Sequence, residues 1–317
     1  MNRLTDHNKP VNVVSNPCAH YTVGSATVEH RASVVMLTHN RVDEVVASLE
    51  RLVALPERPR IVVVDNGSTD GTGAVVSRRF PDVDLLRSEH NLGAAARNVG
   101  IRHVRTPYVA LCDDDTWWAP GAIRRAADLL DRHARLAVIT GRVLVRSEER
   151  EDPTCARMAA SPFPSASGMP GSTVLGFLAG ASMIRRSAFL QVGGFEPRLF
   201  IGGEETLVAV DLATAGWTMA YVPDVIVYHY PSSKRDSHAR RLLLLRNELW
   251  ITWLRRPLGA ALRRTVQLVR SVRHDPELRP ALIQALAGLR WVWRHRRVIP
   301  PQVEAALNRL ESDPQPY

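Results

Sequence analysis

Two apolar runs near the start of the chain follow one plan. "ASVVMLTHNR" (32–41) and "RIVVVDNGSTDGT" (60–72) each carry an unbroken aliphatic stretch that ends in small polar residues. Between them Val42, Val45, Val46, Leu49, Leu52 and Val53 recur at helical spacing. Strand, helix, strand with continuously apolar strands predicts a parallel sheet covered on both faces. "DLLRSEHN" then predicts a short third strand, Gly93 to His103 a helix, and "YVALCDDD" a fourth strand. "APGAIRRAADLLDRHA" has an amphipathic helical pattern with Pro120 near its start, and "LAVITGRVLV" reads as another strand. Residues 151–174, rich in Pro, Ser, Gly and Ala, predict a mobile loop. "LGFLAGASMIRRSAFLQVGGF" resumes order, and "GWTMAYVPDVIVYHY" contains a late strand. Beyond Pro231 the texture changes to Arg-rich helices interrupted near Pro257, Pro276, Pro280 and Pro300.

Length and composition narrow the picture. The 317 residues suffice for one large domain, or for a domain of about 200 residues with an extension. A 45% hydrophobic and 23% charged composition is that of a globular protein. No uncharged apolar run approaches the roughly 18 residues of a membrane span. The polar first 30 residues lack a secretory core and predict a flexible leader. Cys18, Cys112 and Cys155 lie far apart, without zinc-like spacing, which fits a reducing cytoplasmic setting. The net charge of +9 is uneven: from Lys234 onward 17 Lys and Arg face 7 Asp and Glu, whereas the preceding 233 residues carry 24 and 25. We therefore divide the chain into a leader (1–30), an α/β unit (31–232) and a basic helical extension (233–317). "RRLLLLRNELWITWLRRPLGAALRRTVQLVR" alternates Arg pairs with Leu and Trp. It fits either helices packed on the α/β unit or helices lying on the anionic inner face of the cell membrane. Nucleic acid is not an expected partner, because no base-reading motif accompanies the charge.

In an open α/β sheet, ligands bind beyond the carboxyl ends of the strands. The Thr38–Arg41 segment, Asp65 and the triplet Asp113, Asp114 and Asp115 all fall at such ends. Adjacent carboxylates raise one another's pKa, and a hard divalent cation, Mg²⁺ or Mn²⁺, removes that penalty. The triplet fits equally an acidic turn capping the helix near Pro120. Strand alternation places Asp113 and Asp115 in an environment different from that of Asp114. Glu204 and Glu205 offer a second acidic pair, either a general base or the cap of a helix running to Ala215. Trp117 and Trp118 fit sugar stacking or core packing. The small residues of "LAGASMIRRSAF" (178–189) allow close approach of a ligand or tight packing.

"VVMLTHNR", "VVVDNGSTDGT", "HNLGAAARNVG", "LCDDDTWWAPG" and "GGFEPRLFIGGEE" resemble, in order and spacing, the family 2 glycosyltransferases of the GT-A fold. The resemblance covers about residues 32–231. It implies a Rossmann-like, mixed-sheet nucleotide-diphosphosugar transferase, here with a C-terminal helical extension. It places Thr38, Asn40 and Arg41 near the nucleotide and Asp65 on the base, with Asn66, Gly67 and Ser68 as the adjacent loop. Asn91 and Gly93 open a helix toward the nucleotide, with Arg97 and Asn98 on its first turns. Asp113 and Asp115 take the DxD positions, Asp115 being the most direct metal ligand, and Asp114 contacts ribose or sugar. His229 matches a third metal ligand of some members. Glu205 stands where the family usually has an Asp base, with Glu204 beside it. Two further departures are Leu207, for a common Asp, and Asp211, for a frequent Arg. The resemblance implies an inverting transfer from a UDP- or dTDP-sugar to a hydroxyl of a carbohydrate, lipid-linked or small-molecule acceptor. Rival readings are a sugar nucleotidyltransferase, which would need a Gly-rich basic loop after the first strand, and a non-catalytic membrane or scaffold protein that keeps the nucleotide pocket.

Overall fold

The computed structural model describes residues 30–146, 148–164, 168–231 and 237–312. The predicted leader thus lies outside the described residues, except for its last position.

The first half alternates as the hydrophobic pattern dictates: β1 (Ala32–Thr38), α1 (Val42–Val53), β2 (Arg60–Asn66), α2 (Thr72–Arg79), β3 (Asp84–Ser88), α3 (Arg97–His103) and β4 (Tyr108–Asp113). β5 (Thr116–Trp118), α4 (Ala122–Arg132) and β6 (Leu136–Val145) follow. Next come β7 (Arg150–Glu151), α5 (Pro153–Ala159), β8 (Ser172–Thr173), β9 (Ser182–Arg185), α6 (Arg186–Gln191), α7 (Glu204–Thr214) and β10 (Thr218–His229). The extension comprises α8 (Ser237–Arg255), α9 (Leu258–His274), α10 (Arg279–Ala287), α11 (Leu289–His295) and α12 (Pro301–Ser312).

The main path of the mixed sheet runs β3-β2-β1-β4-β9-β6-β10-β5. β1 pairs parallel with β2 and β4, whereas β9 runs antiparallel between β4 and β6. Register brings the polar strand ends level: Thr38 is opposite Asp65 on one side, and Leu37 is opposite Asp113 on the other. Val34, Val35, Met36, Val62, Val63 and Leu111 are all buried, as strands covered on both faces require.

Two expectations need correction, and one open alternative is decided. Gly93 to His103 is not one α-helix: residues Gly93–Ala96 form a 3₁₀ turn before α3. Residues 151–174 are not merely a loop. Asp152 accepts the Thr154 N–H at 2.8 Å, Pro153 stands at the first turn, and α5 buries Cys155. The tryptophans form β5, pairing antiparallel with β10. Trp118 is fully buried, its Nε1–H donating to the Leu111 carbonyl at 3.1 Å. Core packing thus accounts for Trp118, and neither tryptophan lines the cavity described below.

The extension breaks where the prolines predicted, with Pro257 preceding α9, Pro276 opening a 3₁₀ turn and Pro280 in the first turn of α10. It shares one apolar cluster with the α/β unit: Leu199 and Leu207 pack with Leu249, Trp250, Ile251, Leu254 and Trp291. Both family departures on α7 face this extension. Leu207 is buried in the cluster, and Asp211 receives a bidentate pair from Arg255 of α8 at 2.5 and 2.8 Å. Leu207→Asp would leave a carboxylate without a partner in that cluster, at a cost of about 3–5 kcal/mol. We expect a thermal midpoint lowered by roughly 10 °C or more in calorimetry; an unchanged midpoint would contradict the packing described.

Candidate active site

The ends of β1, β2 and β4 open into a cavity of about 590 Å³, closed on its other side by residues 178–181, 200–205 and the start of α8. Of the residues singled out in the sequence, Thr38, Arg41, Asn66, Asn91, Gly93, Arg97, Asp113, Asp114, Asp115, Glu204, Glu205 and His229 line it. Asn40, Asp65, Gly67, Ser68 and Asn98 do not.

The five non-lining residues build the walls. Asp65 is fully buried, its Oδ1 accepting the Ser68 N–H at 2.9 Å and its Oδ2 lying 3.0 Å from Arg87 Nε. Its Oδ2 accepts no hydrogen bond. Asn40, at a left-handed φ of 53°, donates its N–H to Ser68 Oγ and accepts the Thr69 N–H through Oδ1. These bonds tie the ends of β1 and β2 together. Gly67 must be glycine: at its φ of 76° a Cβ would meet the His90 carbonyl carbon at 2.8 Å. Asn98 was expected near the nucleotide; its amide instead clamps both backbone groups of Phe195, at 2.7 and 3.0 Å. Asn66, in turn, donates to Asn91 Oδ1 and the Gly93 carbonyl and accepts the Leu92 N–H, holding the 91–93 loop at the cavity edge.

The acidic triplet is divided differently from the alternation predicted. The strand ends at Asp113, and Asp114 and Asp115 turn inward, so both are buried. Arg41 reaches Asp114 Oδ1 at 2.8 Å and Asp115 Oδ2 at 3.2 Å. Burial pushes the Asp114 carboxyl up to about 7 against the pull of Arg41. Asp115 Oδ1 lies 3.6 Å from His229 Nε2, a spacing that β5–β10 pairing fixes by setting His229 opposite Thr116. Asp113, the more exposed of the three, is held by Arg97. Among the described residues, no three His, Cys, Asp or Glu side chains form a preassembled metal cage. Asp115 and His229 supply two donors. Such a pair suits a hard cation that takes its remaining oxygens from a bound diphosphate and water.

Across the cavity Glu204 and Glu205 open α7, as the acidic first turn of a helix favours. Burial raises the Glu204 carboxyl, and burial together with Glu204 pushes Glu205 up to about 7, against the Ala179 N–H and Arg97. That N–H donates to Glu205 Oε1 at 3.2 Å. The buried Arg97 therefore stands between Asp113 and the glutamate pair, pulled on by all three carboxylates.

Several residues of the site were not legible as such. Thr116 Oγ1 accepts the Asp113 N–H and lies 3.1 Å from the Gly180 carbonyl, linking the triplet to the small-residue segment. Gly180 approaches the Asp113 carboxylate so closely that a Cβ would lie 2.7 Å from Oδ2. The "LAGAS" run thus keeps the two acidic groups apart and in register. His39, Phe200, Arg240 and Leu243 also line the cavity. The last two belong to the extension, which charge counting alone set apart from the site.

This sheet, with acidic strand ends and a carboxylate pair facing them over one cavity, defines a GT-A transferase that uses nucleotide-sugar donors. The profile of glycosyl transferase family 2 matches residues 33–193, and the chain belongs to that family of glycosyltransferases. An N-acetylglucosaminyl-diphospho-decaprenol L-rhamnosyltransferase of Mycobacterium tuberculosis is 28% identical over 278 residues, covering 74% of this chain and 90% of its own. A pre-mycofactocin glycosyltransferase of the same organism is 29% identical, over 68% of this chain and 48% of its own. The fold is shared with a mannosyltransferase of Pyrobaculum calidifontis solved with GDP-Man and Mn²⁺, at a TM-score of 0.55 and 21% identity over 98% of this chain and 80% of that one.

Gly180→Ala tests the wedge between the acidic groups. The added methyl must displace Asp113, so we expect transfer to fall at least about tenfold with little change in thermal midpoint. Wild-type turnover would show that the Asp113 position is not critical.

Proposed function

We propose that the chain is an inverting, divalent-metal-dependent glycosyltransferase that moves a sugar from a UDP- or dTDP-sugar to a hydroxyl of a lipid-linked saccharide. The observation that carries this reading is the opposition of Asp113–Asp115 and Glu204–Glu205 across one cavity, separated by Arg97 and the 178–181 segment. Asp115 and His229, with Asp113 nearby, would hold Mg²⁺ or Mn²⁺. The ion, when bound, supplies positive charge to a departing diphosphate. The rest is the work of this chain's side chains. Glu205, fixed by the Ala179 N–H, takes the proton of the acceptor hydroxyl. The freed oxygen attacks the anomeric carbon from the face opposite the leaving group, the bond to the diphosphate oxygen breaks, and configuration inverts. Arg97 and Arg41 are placed to follow negative charge from carboxylates to phosphate. A Glu in place of the usual Asp is longer by one methylene, about 1.5 Å; the Ala179 contact sets where that extra length points.

Glu205→Gln should bind donor normally and turn over at least about 100-fold more slowly. Because the Glu205 carboxyl sits at about 7, its basic form grows as pH rises. The wild-type rate should therefore climb through pH 7 and level off above it, a rise absent from the Gln variant. Unchanged turnover in the variant would move the base to Glu204. Asp115→Ala should lose the Mn²⁺-dependent thermal shift produced by UDP or dTDP; an undiminished shift would remove Asp115 from the metal site.

The extension supports a lipid-linked acceptor met at the cytoplasmic face of a membrane. Among the described residues no helix is long and apolar enough to cross a bilayer. Leu258, Leu262 and Val266 recur on α9 at i, i+4, i+8 and are 66%, 66% and 40% exposed, and Ile283 and Trp293 reach 66% and 75%. Exposed apolar stripes among arginines suit an anionic headgroup layer. Wild-type protein should sediment with anionic but not with zwitterionic vesicles. Leu262→Ser with Trp293→Ser should cut that binding roughly tenfold; equal sedimentation would leave these helices purely structural.

A further inference from the structure

One residue of the cavity sits in a conformation that side chains avoid. Phe200 has φ 62° and ψ −67°, and the Ile201 N–H donates back to the Leu199 carbonyl at 2.8 Å. This is the strained form of the γ-turn, rare for any residue with a Cβ. The strain is held from several sides. The Phe200 carbonyl accepts the Ala94 N–H at 2.6 Å. The Nδ2 of Asn247, a fully buried residue of α8, donates to the carbonyls of Leu199, Ile201 and Gly202 at 2.8, 3.1 and 2.6 Å. Gly202 and Gly203 lie directly beneath α8, where a Cβ would strike Leu244 or Ile251.

A strained aromatic residue that served only the core would be buried. Phe200 is 38% exposed and lines the cavity, just before the glutamate pair. Its ring edge lies over Gly93, where a Cβ would come 2.8 Å from Cδ2. The turn thus presents a flat apolar face between the nucleotide-side loop and α7. On the same side, Arg240 and Leu243 of α8 reach the cavity. Arg41 and Arg97 are already paired with carboxylates. Arg240 is exposed, and from the cavity wall its charge acts on the Glu204 carboxyl.

We infer that Phe200 and Arg240 together form the acceptor subsite, with the acceptor's sugar ring stacked on Phe200 and its phosphate paired with Arg240. The inference rests on the glycosyl transfer proposed above and names the acceptor class: a sugar joined through phosphate to its carrier. Asn247 is the positioning residue that keeps the Phe200 turn in place. An aromatic face gives a pyranose C–H surface apolar contact without hydrogen-bond demands. A guanidinium recognises phosphate with two parallel donors.

The test uses the full chain and two acceptor probes, a short-chain prenyl-diphospho-N-acetylglucosamine and a neutral octyl N-acetylglucosaminide. Arg240→Glu should raise KM for the diphosphate probe by roughly tenfold or more and leave the neutral probe unaffected, with Arg240→Lys restoring much of the difference. Phe200→Gly should raise KM for both probes about tenfold. Because glycine relieves the turn, its thermal midpoint should stay at or above that of the wild type. Donor affinity should be unchanged in every variant, which separates acceptor binding from the donor side of the cavity. Unaltered acceptor KM values would overturn the inference. So would a Phe200→Gly protein that loses stability and donor binding together, which would mark the ring as structural. If wild-type protein glycosylates neither probe, the acceptor class is wrong, and donor hydrolysis shows separately whether the transferase reading stands.

Discussion

Five carboxylates face one cavity, and two inner guanidiniums answer them. Asp113, Asp114, Asp115, Glu204 and Glu205 all line the space, with Arg41 and Arg97 reaching across it. Most of these acids are removed from water, so their repulsion is weakly screened. The protein meets this partly by protonation: burial lifts Asp114 and Glu205 toward neutrality. It meets it partly by pairing, with Arg41 shared between two acids and Arg97 on Asp113, while the charges of Glu204 and Glu205 also act on Arg97. A diphosphate donor would add negative charge to a space already rich in it. On the metal-dependent reading, Asp115 and His229 would hold a cation whose charge offsets the carboxylates, and Arg41 and Arg97 would then be free to meet phosphate. Charge balance thus links the two acidic groups, because Arg97 is paired with Asp113 and feels the charge of Glu204 and Glu205.

That arrangement depends on the extension more than a domain boundary suggests. α7 carries the glutamates at one end and is held by α8 along its length, through Leu207 in the shared cluster and Asp211 on Arg255. The loop before α7 hangs from Asn247. The two family departures on α7 therefore fit together: an apolar residue faces an apolar helix, and an acid faces an arginine. α12 is tied in turn to α8, since Arg256 takes Glu304 at 2.9 and 3.0 Å and Asn308 at 2.7 Å. The basic third of the chain is a buttress for α7 and the loop before it.

Much of this was legible in the sequence because the relevant signals are local. Continuous apolar strands and one helical period were enough for β1, α1 and β2, and three polar strand ends were enough to locate the crevice. The split within the Asp triplet was not legible, because it turns on where β4 stops. Alternation assumes a strand continuing through Asp115, whereas Thr116 captures the Asp113 N–H and bends the chain. The helix α5 was hidden by a composition typical of loops; only the Asp152–Pro153 start marked it. Asp65 and Asn98 were placed at the ligand by resemblance; in the fold Asp65 meets Arg87 and Asn98 clamps Phe195, partners distant in sequence. Long-range satisfaction of buried polar groups is what a pattern along the chain cannot show.

Departures from easy folding in this chain gather in one short segment. Within residues 199–205 lie the strained Phe200, two left-handed glycines and a glutamate with a buried, unpaired oxygen, Glu204 Oε2. Each lowers stability, and none is needed to close the sheet. They persist because neighbours over-determine them: Asn247 and Ile251 of α8 on one side and Ala94 beside. Strain that is held this firmly, at a cavity wall and not in the core, indicates selection for geometry over stability. The same physical cause explains the acids on the glycine-capped helix: a carboxyl raised toward neutrality must be kept from water, and a rigid support keeps it there.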